Sequence, residues 1–331
     1  MGAGSQVSSA SASGIEVLGS LRLVQMRFRF QVLEPLRLPP YKGSTFRGVL
    51  GKALKRTLCL RRGLPDCQGC RLMEVCRYPD LFETRFSLRR KSGQAVPPPP
   101  FVLIPPQAAD TDFQAGELLE CGLVLVGDAA DDASAFIGAF AEAGRIGLGR
   151  ERVPCRLESV EALSPGDGSE GTLQRRGGIV ELSGKKVIRD RSGWIGTRRW
   201  RLEFLSPVRL QCNGRLVKTA DFRVLVQRLS ERLQALVGLY GEGGCLDFPA
   251  ILEEASRVRL VEARLRWDDW ERYSNRQKTR MRLGGFRGSA SYEGDLDFFV
   301  PLLAIGEWLN VGKGATFGLG RFRVAAEGEL E

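Results

Sequence analysis

Along Leu21 to Phe30 the apolar residues Met26, Phe28 and Phe30 alternate with Arg27 and Arg29, the period-two pattern of a strand with one buried face. The turn-forming run Glu34-Pro35-Leu36-Arg37-Leu38 follows. From about Ser44 to Leu58, Phe46, Val49, Leu50, Ala53, Leu54 and Leu58 recur at three- and four-residue spacing, which predicts an amphipathic helix. The same order returns later: a strand through Trp200 to Phe204, then Ser206-Pro207-Val208-Arg209-Leu210, then a helix from about Asp221 to Val237. Phe46-Arg47 and Phe222-Arg223 open the paired helices. Each half then carries a short apolar helix, marked by Phe136, Ile137 and Phe140 in the first and by Phe298, Phe299, Leu302, Leu303 and Leu309 in the second; these are core positions.

Each of those helices runs into a glycine-rich turn. In the first half it reads Gly144-Arg145-Ile146-Gly147-Leu148-Gly149-Arg150; in the second, Gly312-Lys313-Gly314-Ala315-Thr316-Phe317-Gly318-Leu319-Gly320-Arg321. Glycines there permit positive φ and a close backbone approach. Duplication is the simplest account of the repeated order. Strand, helix, extended region, helix, turn and strand describe a βαββαβ unit, so the predicted fold class is α+β with tandem ferredoxin-like (RRM-like) domains. The expected organisation is a disordered leader over 1–19, an N-terminal domain over 20–163, a linker over 164–198, and a C-terminal domain over 199–325 with the glycine-rich loop. Within the linker, Ser164 to Gly171 is rich in turn formers, and a hairpin is expected about Ser183-Gly184-Lys185-Lys186.

A small insertion follows the first helix. Four of the eight cysteines fall there as Cys59, Cys67, Cys70 and Cys76, a C-x7-C-x2-C-x5-C spacing. The Cys67/Cys70 pair suits two thiolates on one metal, and Cys59 and Cys76 would close a tetrahedral site. Structural Zn2+ is the expected occupant, with an Fe-S cluster as the alternative for the same ligands. The other four cysteines are scattered and read as core thiols.

Charge narrows the partner. Lys and Arg number 49 against 39 Asp and Glu, a net charge of +10, which favours a polyanion, nucleic acid first, although charge alone decides little. No apolar run approaches the ~20 residues of a membrane-spanning helix, and the start lacks a secretory pattern, so the cytoplasm is the expected compartment. Two basic surfaces stand out. On the first helix Gly48 and Gly51 lie with Lys52 and Lys55 opposite the apolar stripe; either a phosphate backbone or the neighbouring half would explain so flat a face. The second surface runs from Arg257 to Arg287, with Trp267, Trp270, Tyr273 and Phe286 among the arginines, and combines phosphate neutralisation with stacking as RNA-binding surfaces do. Asp268, Asp269 and Glu271 offset part of its charge. The Gly312-Lys313-Gly314 run lacks the spacing of a nucleotide-binding P-loop.

Three segments together resemble the CRISPR-associated endoribonucleases that process precursor CRISPR RNA, a branch of the RAMP superfamily: Leu38 to Gly48 with the cysteines after it, Trp270 to Lys278, and the loop Gly312 to Arg321. The resemblance implies binding of CRISPR repeat RNA. It also implies metal-independent cleavage in which the 2′-hydroxyl attacks its own phosphate, leaving a cyclic phosphate and a 5′-hydroxyl. The alternative is a non-cleaving RNA-binding subunit of a CRISPR effector complex. Many relatives use histidine; this chain has none, and Lys52 and Asn310 stand where the resemblance would place histidines. The resemblance therefore nominates Lys52, Tyr41 and Lys55 for catalysis, with Lys52 as charge stabiliser or acid and Tyr41 as proton donor. For RNA contact it nominates Lys42, Ser44, Arg47, Arg272, Tyr273, Arg276, Lys278, Arg280, Lys313 and Arg321.

Overall fold

The computed structural model describes residues 14–61, 63–64, 67–83, 97–107, 110–162, 181–269, 271–274, 279–282 and 284–326. The turn-rich linker Ser164 to Gly171 lies outside them. The chain divides into two units: Arg22–Leu182, and a second formed by the chain on either side of it.

In the unit Arg22–Leu182 the alternating segment is β1 (Arg22–Val32), followed by α1 (Gly43–Leu58), β2 (Phe101–Ile104), β3 (Leu118–Val126), α2 (Ala133–Ile146) and β4 (Cys155–Ala162). Four strands run in the order β2-β3-β1-β4 with these three pairings antiparallel, and the short strand Glu181–Ser183 also pairs with β1. Met26, Phe28 and Phe30 point inward from β1, and Phe28 stacks on Phe140 of α2 with ring centroids 3.9 Å apart. Phe46, Leu50, Ala53 and Leu54 bury the predicted stripe of α1 in the same core. Burying an aliphatic or aromatic side chain of this size contributes about 1.5–3 kcal/mol, so these contacts rather than helix propensity hold α1 in place.

The second unit contains α3 (Gly184–Arg189), β5 (Arg199–Val208), α4 (Phe222–Tyr240), α5 (Phe248–Ser256), β6 (Arg259–Asp268), β7 (Glu271–Ser274), β8 (Thr279–Arg282), β9 (Gly285–Glu293), α6 (Val300–Leu309) and β10 (Phe322–Ala326). Its main sheet has the order β6-β9-β5-β10, again antiparallel throughout. β7 and β8 pair with each other between β6 and β9 in the chain. Asp221 and Asp247 cap α4 and α5, accepting from Val224 N at 2.8 Å and Ala250 N at 3.1 Å.

Two expectations are corrected. Ser183 to Lys186 is not a hairpin turn: Ser183 Oγ accepts from Lys186 N at 3.3 Å, so the serine caps the helix α3, and buried Val187 anchors it. The last residues of the expected leader are ordered, because Ile15–Ser20 forms a 3-10 turn whose Ile15 and Leu18 are buried in the second unit.

The glycine-rich turns both use positive φ, although Gly147 has ψ 152° and Gly318 ψ 13°. Gly147 and Gly149 have φ of 88° and 73°, Gly318 and Gly320 of 86° and 71°, and Leu148 and Leu319 between them are both buried. A Cβ at Gly320 would run into the Val311 carbonyl, and one at Gly147 into that of Arg152.

Lys42, at the N-cap of α1, is a charged residue with no exposed surface. Its Nζ lies 3.4 Å from the Pro40 carbonyl and 5.8 Å from the centre of the Phe113 ring. Burial lowers the ammonium's pKa below the ordinary lysine range, with Asp110 pulling the other way. The positive end of the helix dipole is also a poor place for a cation. In the unfolded chain the amine keeps its ordinary proton affinity. Between the folded pKa and ~10.4 the unfolded state therefore binds more protons, and stability rises with pH. Lys42→Met should accordingly raise the urea midpoint, most at neutral pH, with the gain shrinking toward pH ~10.4. A gain that does not change with pH would show that the buried charge is not its cause.

Candidate nucleic-acid interface

The face of α1 that the sequence left open resolves into two different glycines. Gly51 is buried, and a Cβ there would run into the Phe82 ring, so close packing explains it; the partner is Phe82 of the same unit rather than the neighbouring half. Gly48 is exposed, with nothing within 4 Å of where its Cβ would be. Lys52, one turn further along, is exposed as well. Lys55 is engaged differently: its Nζ donates to the Leu64 carbonyl at 2.5 Å, tying the segment after α1 back onto the helix. Arg47 lays its guanidinium over the Phe82 ring at 4.5 Å, and Phe82 in turn stacks with Tyr78 and Phe101. Ser44 and Tyr41 are half-buried near the start of the helix. Lys42, nominated for RNA contact, is corrected, since its side chain is shut off from solvent. Tyr41 precedes the helix and Lys52 lies in its third turn, roughly 14 Å further along the axis at 1.5 Å per residue.

Of the four clustered cysteines, Cys59, Cys67 and Cys76 are buried, Cys70 is half-buried, and none is in a disulfide. Burial pushes the Cys67 thiol up to about 11; negative charge at Glu83, Cys59 and Cys76 adds to this, and Lys55 opposes it. Among the described residues no group of three or more histidine, cysteine, aspartate or glutamate side chains is disposed to hold a metal ion.

The second basic surface is partly a salt-bridged ladder. On β6, Arg264 bonds Glu262 at 2.6 Å and Arg266 lies 3.3 Å from Asp268, whose other oxygen is 3.6 Å from Arg287. Phe286 is a core residue in edge contact with Phe204, at 5.1 Å between centroids, so it offers no stacking surface. Trp267 is half-buried, with the Lys218 ammonium 5.8 Å from its ring. Arg272 and Tyr273 fall on β7 and Arg280 on β8, while Arg276, Lys278 and Trp270 lie outside the described residues.

The glycine-rich loop leaves α6 at Leu309. Asn310, with φ 60° and ψ 166°, turns the chain, and Val311 N donates to the Gly320 carbonyl at 2.9 Å to close the loop. The loop is also tied to the end of β5: Gly320 N donates to Pro207 O at 2.9 Å, Lys313 N to Arg209 O at 3.0 Å, and Arg321 N to Ser206 Oγ at 2.9 Å. That leaves the Lys313 side chain exposed and Arg321 half-buried. Lys313 and Arg321 are thus brought to one loop. Sequence reasoning missed Arg232, whose Nε donates to the Leu309 carbonyl at 2.8 Å. Its signal was an arginine standing among Leu225, Leu229, Leu233 and Leu236 on the apolar stripe of α4.

Comparison with known proteins places these features. Residues 202–322, from β5 to the start of β10, match the family model of the CRISPR-associated endoribonuclease Cas6. Residues 21–185 match a model described as an N-terminal domain. An uncharacterised protein of Archaeoglobus fulgidus is 28% identical over 317 residues, covering 92% of this chain and 98% of its own. Among solved structures, a Cas6 product complex is similar with TM-score 0.58 and 18% identity, covering 92% of this chain and 100% of that one. Thermus thermophilus Cas6 gives TM-score 0.55 at 15% identity, covering 92% and 99%. A partial Cas6-RT-Cas1-Cas2 complex gives TM-score 0.60 at 13% identity, covering 93% of this chain and 47% of its own. The second unit is therefore similar to the CRISPR-associated endoribonuclease Cas6 family, and solved Cas6 structures share the fold along nearly the whole length of the chain.

Proposed function

We propose that this protein binds CRISPR repeat RNA and cuts precursor CRISPR RNA, the 2′-hydroxyl at the cut site attacking the adjacent phosphate to leave a cyclic phosphate and a 5′-hydroxyl. The match of residues 202–322 to the Cas6 endoribonuclease family carries this reading, because it spans the unit that presents the glycine-rich loop. The strand order 2-3-1-4 in both units, with helices after the first and third strands, supports reading each as ferredoxin-like.

The reaction needs a base near the 2′-oxygen, a cation over the phosphate and an acid at the leaving oxygen. Exposed Lys52 on the open face of α1 supplies a cation, and half-buried Tyr41, just before the helix, a hydroxyl. Exposed Lys313 and the arginines of β6 to β9 hold the backbone. Phe286 being core, contact there runs through charge more than through stacked bases. The products of the reaction leave no step that requires a metal ion.

Purified protein in EDTA should cut the repeat RNA of its own locus at one position, and Lys52→Ala should slow single-turnover cutting by about 10²-fold or more while changing affinity far less. Tight binding with intact RNA would instead identify a holding subunit of an effector complex. Gly48 gives a separate check. In an exposed helix interior, glycine costs about 1 kcal/mol against alanine, and no neighbour forbids a Cβ there. Gly48→Ala should therefore raise stability by about 1 kcal/mol and, if RNA lies against this face, weaken binding. Unchanged affinity in the stabilised variant would remove α1 from the RNA path.

A further inference from the structure

Arg232 is in the wrong place for an ordinary arginine. It stands in the apolar stripe of α4, burial lowers its guanidinium to about 10, and it makes no ion pair among the described residues. Its Nη2 is out of reach of solvent and has no hydrogen-bond partner among the described residues. A buried, unsatisfied donor on a charged group is costly, and a leucine at this position would avoid the cost. What the arginine does have is the 2.8 Å bond from Nε to the Leu309 carbonyl, at the end of α6, where helix carbonyls lack partners and a cation complements the dipole.

The residue after that carbonyl is the anomaly of the loop. Asn310, with φ 60° and ψ 166°, occupies a backbone region that is essentially reserved for glycine and costs another residue about 1–3 kcal/mol. Such a conformation persists only where its surroundings fix it. Here Asn310 N donates to Gly306 O at 2.8 Å, its Nδ2 reaches Ala315 O at 3.4 Å, and Arg232 fixes the peptide on its other side.

We propose that Arg232 is a positioning residue for the glycine-rich loop: by holding the Leu309 carbonyl it keeps Asn310 in its glycine-like conformation, and so fixes the loop that presents Lys313 to RNA. The proposal rests on the RNA-processing reading above. It makes Arg232 a clamp on loop shape rather than an RNA ligand, and the two roles differ in their response to salt. A residue that touches phosphate contributes to the slope of log Kd against log salt; a clamp does not.

The test uses the full chain and the repeat RNA of its own locus. Arg232→Met should weaken RNA binding about tenfold or more with the salt slope unchanged, whereas Lys313→Ala should lower the slope by about one. Amides from Val311 to Gly320 should exchange hydrogen faster in Arg232→Met. Adding Asn310→Gly to Arg232→Met should restore both slow exchange and affinity, because glycine takes the required φ and ψ unaided. A lost melting temperature with unchanged affinity and exchange, or a double variant that regains neither, would overturn the proposal. Should Arg232→Met fail to fold, Arg232→Lys keeps a donor for the Leu309 carbonyl and should stay close to wild type; an equal loss in Arg232→Lys would also overturn it. If no variant, wild type included, binds RNA, the RNA reading fails, and the exchange measurement still decides whether the clamp exists.

Discussion

The last strand of each unit can pair with its first only because the chain between them passes through glycines at positive φ. Gly147 and Gly149 do this ahead of β4, Gly318 and Gly320 ahead of β10, and at each turn a side chain would collide with a backbone carbonyl. The pairing they permit is central to each sheet: β1 lies between β3 and β4, and β5 between β9 and β10. Without that return β5 would become an edge strand and β1 would lose the pairing over most of one side, and the apolar faces of α2 and α6 would lose the far side of the layer they cover. The two turns differ in what they add. The first is a tight reversal closed by Leu148 and Val153, each donating to the other's carbonyl at 2.9 Å. The second is drawn out from Val311 to Gly320 and exposes a lysine, so glycines at positive φ serve closure in one unit and presentation in the other.

Much of this was legible in the sequence because it depends on periodicity. The alternation at Met26, Phe28 and Phe30 and the spacing through Phe46, Leu50 and Leu54 record a single buried face, and the repeated order of elements recorded two units of like topology. The errors arose where one residue carried two meanings. Ser183-Gly184 reads equally as a turn and as a helix cap, and the cap won because Gly184 lets the helix start lie against the Leu18 carbonyl, which no local pattern reveals. Lys42 looked like a surface cation for the same reason; its burial depends on Phe113, some seventy residues away in the chain. Arg232 is the opposite case: its place in an apolar stripe was visible, but its partner is a carbonyl brought close only by the packing of α4 and α6.

The missing histidines bear on how such a site would work. No side chain of this protein has an unperturbed pKa between 5 and 8, so proton transfer near neutrality lacks its usual carrier. The remaining sources of rate are geometry and charge: holding the 2′-oxygen in line with its phosphate, and placing cations where negative charge develops. Both depend on rigidity more than on titration. A loop held through a strained asparagine, clamped by an arginine whose own desolvation is unfavourable, is an arrangement in which stability has been given up for a fixed shape. That trade is intelligible if the shape of the loop is what positions the RNA, and it has no evident purpose if the loop merely closes a sheet, since the turn from Gly147 to Gly149 closes the other sheet without it.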